Sequence, residues 1–277
     1  MASSEIFAPG LLDGRVALVT GGGTGLGRAA AGELRACGAQ VVISGRRSEV
    51  LEEAAGELGA HAVAGDVRDP ADAERMVRFA LERCGRLDVL VNNAGGQYFV
   101  PAEAIEPKGW RAVTRLNVGA TERMSRLAAE LAFDGGGTIV NVTLSPHHGL
   151  AGMTHSSAAR AAVEGYTRAL ADEWAPRGIA VIAVAAGHFD TASLRKYPEP
   201  VWRAAARTVP LQRLGREAEH AWLVALCCSP LGAALSGSVV TLDGGRDNWF
   251  GPWPPESLGG GDGEVPAEAR GPKPPGS

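Results

Sequence analysis

Residues Val16–Gly27 constrain this chain more than any other stretch. A short apolar run, Arg15 to Thr20, breaks into Gly21-x-x-x-Gly25-x-Gly27 and then into the helical pattern Leu26 to Cys37. A run apolar on both faces reads as a strand buried inside a parallel sheet. Small residues at the turn let the backbone approach a pyrophosphate, and free N–H groups at the opening of the helix receive its charge. Glycines alone would also fit an ordinary tight turn. The strand before and the helix after them favour a dinucleotide site, with Gly21, Gly23, Thr24, Gly25, Leu26 and Gly27 as its candidate contacts.

The pattern repeats along the chain. Further strands are expected at Gln40–Ser44, His61–Ala64, Leu87–Asn92, Gly137–Val142, Ile179–Ala185 and Ser238–Leu242. Helical periodicity falls between them at Glu49–Leu58, Pro70–Cys84, Lys108–Phe133, His155–Trp174 and Glu217–Cys228. Strands alternating with helices imply an α/β fold: a doubly wound, seven-stranded parallel sheet with helices on both faces. One domain spans residues 1–250, a size that buries a large sheet. Gly187 to Pro210 has mixed character and is expected to form a substrate lid. Residues 251–277 are rich in Pro, Gly and acidic residues and are expected to lack stable structure of their own.

Composition narrows the function classes. A net charge of −4 argues against nucleic acid or an anionic membrane as partner. No apolar run approaches the ~18 residues of a membrane span, and the first residues lack a secretory pattern, so a cytoplasmic protein is expected. Cys37, Cys84, Cys227 and Cys228 have no disulfide or metal spacing and read as small apolar fillers. No His and carboxylate spacing suggests a metal site.

Strand ends carry the remaining cofactor signals. A carboxylate closing the second strand would hold a ribose 2′-hydroxyl. This chain has Ser44-Gly45-Arg46-Arg47 instead, and arginine grips a 2′-phosphate, so NADP(H) is expected over NAD(H). The bland alternative is a solvated turn. Asp66-Val67 closes the third strand, where a carboxylate can accept from an adenine amino group. Asn93-Ala94-Gly95 closes the fourth and lines the same crevice. Each alone could be a turn residue.

Thr20-Gly21-x-x-x-Gly25-x-Gly27, Asn92-Asn93-Ala94-Gly95, Asn117 and Asp243-Gly244-Gly245 resemble the short-chain dehydrogenase/reductase family over roughly residues 10 to 250. That resemblance implies a Ser and a Tyr at the substrate carbonyl, a Lys four residues after the Tyr on the nicotinamide ribose, and an Asn that orients water. Only Asn117 matches. The Tyr position holds Ser156 and the Lys position holds Arg160. The expected Ser falls ambiguously on Thr143 or Ser145. Tyr98, Tyr166 and Tyr197 lack a Lys four residues on, so ketone reduction by a phenol acid is not expected.

A closer resemblance accounts for the departure. Ala8–Leu12, Gly95–Tyr98, Pro101–Glu103, Lys108–Trp110 and His155–Arg160 are similar to peroxisomal trans-2-enoyl-CoA reductases. Gly22–Gly27 and Asp66–Pro70 are similar to 2,4-dienoyl-CoA reductases. Both branches imply NADPH-dependent reduction of a carbon–carbon double bond conjugated to a thioester. Such a reaction develops an enolate, which fixed donors stabilise. Ser156 is the expected donor to the thioester oxygen, and Arg160 the ribose contact and permanent cation, with Ser145 and Asn117 as further candidates.

His155, beside the motif, and His147 and His148, in the loop before it, suit acid–base work near neutral pH. Helix-entry packing and a surface loop are the bland readings. Gly187 and Thr191 follow strand six, where the resemblance implies contacts to the nicotinamide amide. Trp249 and Trp253 near the tail would shape the substrate mouth or meet a neighbouring subunit. The resemblance also implies a homodimer or homotetramer packed through long helices. Two rivals stay open beside a CoA- or carrier-bound enoyl substrate: a tailoring enzyme acting on an enone, imine or iminium or running a non-redox step, and a non-catalytic NADPH-binding protein.

Overall fold

Seven strands, all parallel, run in the order β3-β2-β1-β4-β5-β6-β7 in the computed structural model, which describes residues 3–196 and 199–248. They are β1 Val16–Thr20, β2 Gln40–Gly45, β3 His61–Ala64, β4 Val89–Asn92, β5 Gly137–Leu144, β6 Ile179–Ala186 and β7 Val239–Leu242. Every residue of β1, β4 and β6 is buried, as a sheet covered on both faces requires. Strand order reverses between β1 and β4, which pair Ala17 with Val89 and Val19 with Val91. Ligands of open α/β sheets bind outside the carboxyl ends of the strands at such a reversal.

The helices are α1 Gly25–Ala36, α2 Ser48–Leu58, α3 Pro70–Cys84, α4 Pro107–Thr114, α5 Ala120–Leu131, α6 Thr154–Trp174, α7 Glu199–Arg207 and α8 Glu217–Cys228. One apolar layer joins Ala30 and Leu34 of α1 and Val224 of α8 to Ile43, Val91, Val140 and Ile182. The other joins Met76 of α3, Met124 of α5 and Leu170 of α6 to Leu18, Leu90, Ile139 and Val181. Alternate residues of each strand thus serve opposite layers. Local signals are consistent with this arrangement. The Asp69 side chain accepts from Ala71 N and Asp72 N at the start of α3, and Gly85 ends that helix in the left-handed region.

The sheet and its strands match the sequence expectation. The single helix expected over Lys108–Phe133 does not form. A π-helical turn, Arg115–Gly119, separates α4 from α5. Asn117 sits in that turn, fully buried, and its Nδ2 donates to Val113 O at 2.8 Å and Gly96 O at 2.9 Å. The hydrophobic period is continuous across the break, so the extra residue leaves no mark in the sequence pattern. β5 runs two residues past Val142 because Thr143 and Leu144 pair with Ala185 and Ala186 of β6. The lid region contains α7, and its far side packs against the end of β7, where Val209 and Pro210 sit on Gly244 and Gly245. Tyr197, Trp249, Trp253 and the tail 251–277 lie outside the described residues.

Candidate active site

The glycine turn is built by close approach. A Cβ on Gly27 would strike Asn93 Nδ2 and lie 2.5 Å from Gly21 O, and one on Gly22 would lie 2.7 Å from Ile43. Gly21 and Gly25 hold φ of 66° and 54°, which favour glycine. Thr24 caps α1 from an extended conformation, and Gly23 and Leu26 complete the turn. Asn93 N and Ala94 N each donate to Thr20 Oγ1 at 3.0 Å, and Asn93 Nδ2 donates to Thr20 O at 2.9 Å. The loop after β4 is therefore tied to the tip of β1, which fixes the two edges of the crevice together.

Arg46 and Arg47 are exposed at the end of β2, and Arg46 lies close enough to Asp66, past the end of β3, to act on its charge. Asp66 is already engaged: Arg68 Nε and Nη2 both donate to it, which holds its carboxyl down at about 2. Val67 is buried beside it. Ser44 Oγ and Arg160 Nε are buried without a protein partner. The cradle, the exposed arginines and these unpaired polar atoms fit a nicotinamide dinucleotide.

The opening turn of α6 buries two of its side chains. His155 and Ser156 are fully buried, and neither the Ser156 hydroxyl nor either His155 nitrogen has a protein partner. The His155 ring packs edge-on against Tyr98, with centroids 4.5 Å apart. Arg160, one turn on, donates Nη1 to Val142 O at 2.6 Å. Its guanidinium lies over Gly95, where a Cβ would collide with Nη2 and sit 2.8 Å from Asn117 Oδ1. Among the described residues no carboxylate is within ion-pair distance of Arg160, and burial pushes its guanidinium down to about 10. Arg160 and Asn117 thus meet at Gly95 near the head of α6, one helical turn from Ser156.

Other expected residues occupy different places. Ser145 is buried, but its Oγ donates to Asp243 Oδ2. Asp243 Oδ2 also accepts from Asp247 N, so this serine braces the end of β7. Gly187 N donates to Leu242 O at 3.0 Å, and a Cβ there would lie 2.6 Å from Asp243 Cβ. Thr191 Oγ1 accepts from Leu194 N at 3.2 Å. His148 is half-exposed, with Nδ1 4.0 Å from Asp247 Oδ1.

Its neighbour His147 is the histidine built into the polar network. Nε2 lies 3.2 Å from Glu164 Oε1 and Nδ1 lies 2.6 Å from Asp247 Oδ2. Glu164 is buried on α6, and Thr143 Oγ1 donates to the same Oε1 at 3.0 Å. A buried carboxylate requires such partners. The sequence reading missed Glu164 and Asp247. Ser156, Arg160 and Glu164 are spaced four apart and share one helical face, a signal that could have found the glutamate. Asp247 reaches its partner across 100 residues and carries no such signal.

A glycine cradle at a strand-order reversal, together with a buried hydroxyl and a cation without a carboxylate, fits a dinucleotide-dependent oxidoreductase. A family model described as enoyl-(acyl carrier protein) reductase matches residues 21–247, and the chain belongs to the short-chain dehydrogenase/reductase family. It is 36% identical over 256 residues to a probable 2,4-dienoyl-CoA reductase of Bacillus subtilis, covering 88% of this chain and 100% of that protein. Peroxisomal 2,4-dienoyl-CoA reductase of Pongo abelii is 36% identical over 88% of this chain and 87% of that protein. Among solved structures, a citronellol catabolism dehydrogenase of Pseudomonas aeruginosa PAO1 is 37% identical with a TM-score of 0.77, covering 89% of this chain and all of that one. Family membership implies a nicotinamide cofactor. No described helix is long and apolar enough to cross a membrane.

Proposed function

We propose that this oxidoreductase uses NADPH to reduce a carbon–carbon double bond conjugated to the carbonyl of a CoA thioester. The observation that carries the reading is the donor pair on α6: a buried Ser156 hydroxyl without a protein partner, one turn from a guanidinium without a carboxylate. That pair suits an oxyanion that develops on a carbonyl, and it offers no phenol to protonate an alkoxide. The similarity to 2,4-dienoyl-CoA reductases supports the thioester as substrate class. Arg46 and Arg47 support NADPH over NADH.

The reduced nicotinamide, when bound, supplies a hydride. Ser156 donates a hydrogen bond to the thioester oxygen, and Arg160 holds the ribose side and adds its field. The proton that completes reduction goes to carbon, and we assign its supply to the Glu164–His147–Asp247 chain. If His147 donates Nδ1–H to Asp247, its Nε2 meets Glu164 either as an acceptor from a protonated acid or as a donor to an ionised one. One mobile proton belongs to that contact in both cases. Ala158, Ala161 and Ala162 are exposed on α6 and offer a small-residue face for a second copy of the chain.

The test mixes purified protein, NADPH and crotonyl- or dienoyl-CoA and follows loss of nicotinamide absorbance. Turnover is expected. No loss with any enoyl or dienoyl thioester, across chain lengths, sinks the reading. The likeness to the citronellol catabolism dehydrogenase favours a second reading, an acyclic unsaturated alcohol or carbonyl without CoA, and turnover of such a compound alone would select it.

A further inference from the structure

Five arginines gather on the lid and its flanks. Arg195 precedes α7, Arg203 and Arg207 lie one turn apart on it, and Arg213 and Arg216 follow it, lining one groove of about 360 Å³ with Trp202. Three carboxylates answer four of them: Asp190 meets Arg195 at 2.5 Å, Glu199 meets Arg203 at 2.5 Å, and Glu219 meets Arg213 at 2.7 Å and Arg216 at 3.7 Å. The groove keeps a surplus of positive charge on a chain whose net charge is −4. Solvated acidic proteins do not need to concentrate cations this way, and like charges held together cost free energy until an anion arrives.

The guanidiniums are also oriented. Arg195 stacks on the Trp202 ring at 4.0 Å from its centroid, and Arg203 lies 5.5 Å from it. Arg195 gives Nε and Nη2 to Asp190 and Arg203 gives Nε to Glu199, so among the described residues Arg207 is the groove arginine without a carboxylate partner, and such a guanidinium can bind phosphate through paired hydrogen bonds. The groove adjoins the crevice. Asp190 N donates to Gly215 O and Gly215 N to His188 O, so its wall is fastened to the chain leaving β6. Glu217, just beyond Arg216, comes within 3.9 Å of a Cβ position on Gly25.

The cofactor's own 2′-phosphate has a different address. Arg46 and Arg47 end β2, and three strands separate β2 from β6. Two cationic sites on one crevice call for two phosphorylated ligands.

We propose that the α7 groove binds the adenosine 3′,5′-bisphosphate end of coenzyme A and so selects a CoA thioester over a free or truncated one. The assignment of the acyl carrier rests on the reductase reading; the phosphate chemistry does not. Two measurements test it. Calorimetry titrates adenosine 3′,5′-bisphosphate and adenosine 2′,5′-bisphosphate into the wild-type protein and into Arg203→Ser/Arg207→Ser. Both side chains are exposed, so the fold should tolerate the change, and Arg207→Glu serves as a second variant.

Affinity for the 3′,5′ nucleotide is expected to fall about tenfold or more, while the 2′,5′ nucleotide is held as before. The ratio of kcat/KM for crotonyl-CoA to that for the crotonyl N-acetylcysteamine thioester is expected to fall by a similar factor. Equal losses for both nucleotides, or an unchanged ratio, overturns the proposal. A ratio that moves only for a thioester on acyl carrier protein reassigns the groove to an acidic protein and overturns it as well. If no thioester is reduced at all, the reductase reading fails, and the nucleotide titration still decides whether the groove binds phosphate.

Discussion

Glu164 Oε1 and His147 Nε2 meet at 3.2 Å, joining the buried face of α6 to the loop between β5 and α6. Beyond the imidazole stands Asp247, whose Oδ1 also accepts from His147 N at 2.5 Å. A histidine between two carboxylates can pass a proton from the exposed side to the buried one without turning. Replacing Glu164 with Gln keeps its volume and its contact to Thr143 but removes the exchangeable proton. We expect Glu164→Gln and His147→Phe to lower kcat by about 10²–10⁴-fold while NADPH affinity holds. Single-turnover kinetics with an enoyl thioester check this. A kcat within a few-fold of wild type in both variants would exclude the chain as the proton route.

Arg160 supplies charge and geometry together. Its Nη1 bond to Val142 O aims the guanidinium over Gly95. Arg160→Lys keeps the charge and loses the fork, whereas Arg160→Met loses both. The expected order of kcat is wild type, then Lys, then Met, with the Met variant down by about 10²–10³-fold, the scale of losing one oxyanion donor. Equal activity in Lys and Met variants would mean that the cation's field contributes nothing.

Gly95 tests the same arrangement from the other side. Any side chain there collides with Arg160 and crowds Asn117 Oδ1. Gly95 is exposed, so Gly95→Ala should change folding stability by no more than about 1 kcal/mol. Activity should fall much further, because the guanidinium must move. A thermal melt beside a kcat measurement separates the two effects. An alanine variant that is fully active would show that the crevice does not need Arg160 in this position.

Most of the scaffold was legible because it is local. A strand–turn–helix signal around Gly21–Gly27, alternation of apolar runs, and caps such as Asp69 and Gly85 each act over a few residues. Ser156 and Arg160 were legible as a departure from an expected motif. What the sequence hid is nonlocal. The choice of His147 over His148 depends on where Asp247 arrives, and that is decided by the Asp243 carboxylate accepting from Asp247 N and Ser145 Oγ. Ser145 was expected near the substrate, yet its hydroxyl is committed to that brace. The π turn at Asn117 was hidden for another reason: one extra residue in a helix leaves the apolar period intact on either side.

Arg46 and Arg47 should decide the cofactor. Both are exposed at the end of β2, and Asp66 at the end of β3 is bound by Arg68. Arg46→Ala/Arg47→Ala is expected to raise KM for NADPH by about tenfold or more and to leave KM for NADH nearly as it was. Parallel shifts for both cofactors would assign the pair to the fold instead of to phosphate recognition.

Two histidines, His220 buried and His188 partly so, set an acid limit on stability. Burial lowers His188 to about 4, helped by neighbouring Arg246, and burial alone lowers His220 to about 4, from an ordinary 6.5. His220 packs edge-on against Phe189 with no protein partner for either nitrogen. Between about 4 and 6.5 the unfolded chain binds protons that the folded chain refuses, so stability falls as pH falls through that window. Each histidine contributes a slope of about 1.4 kcal/mol per pH unit there. Depressed carboxylates such as Glu219, held at about 2 chiefly by Arg213, lose their contribution only as pH drops below the ordinary carboxylate range, so the two effects separate. His220→Leu removes the refused proton and the unpaired nitrogens while keeping an apolar contact to Phe189. Denaturant melts at neutral and mildly acidic pH should show a shallower decline in the leucine variant and no loss of stability at neutral pH. A decline as steep as that of wild type would mean that His220 does not contribute to the acid limit.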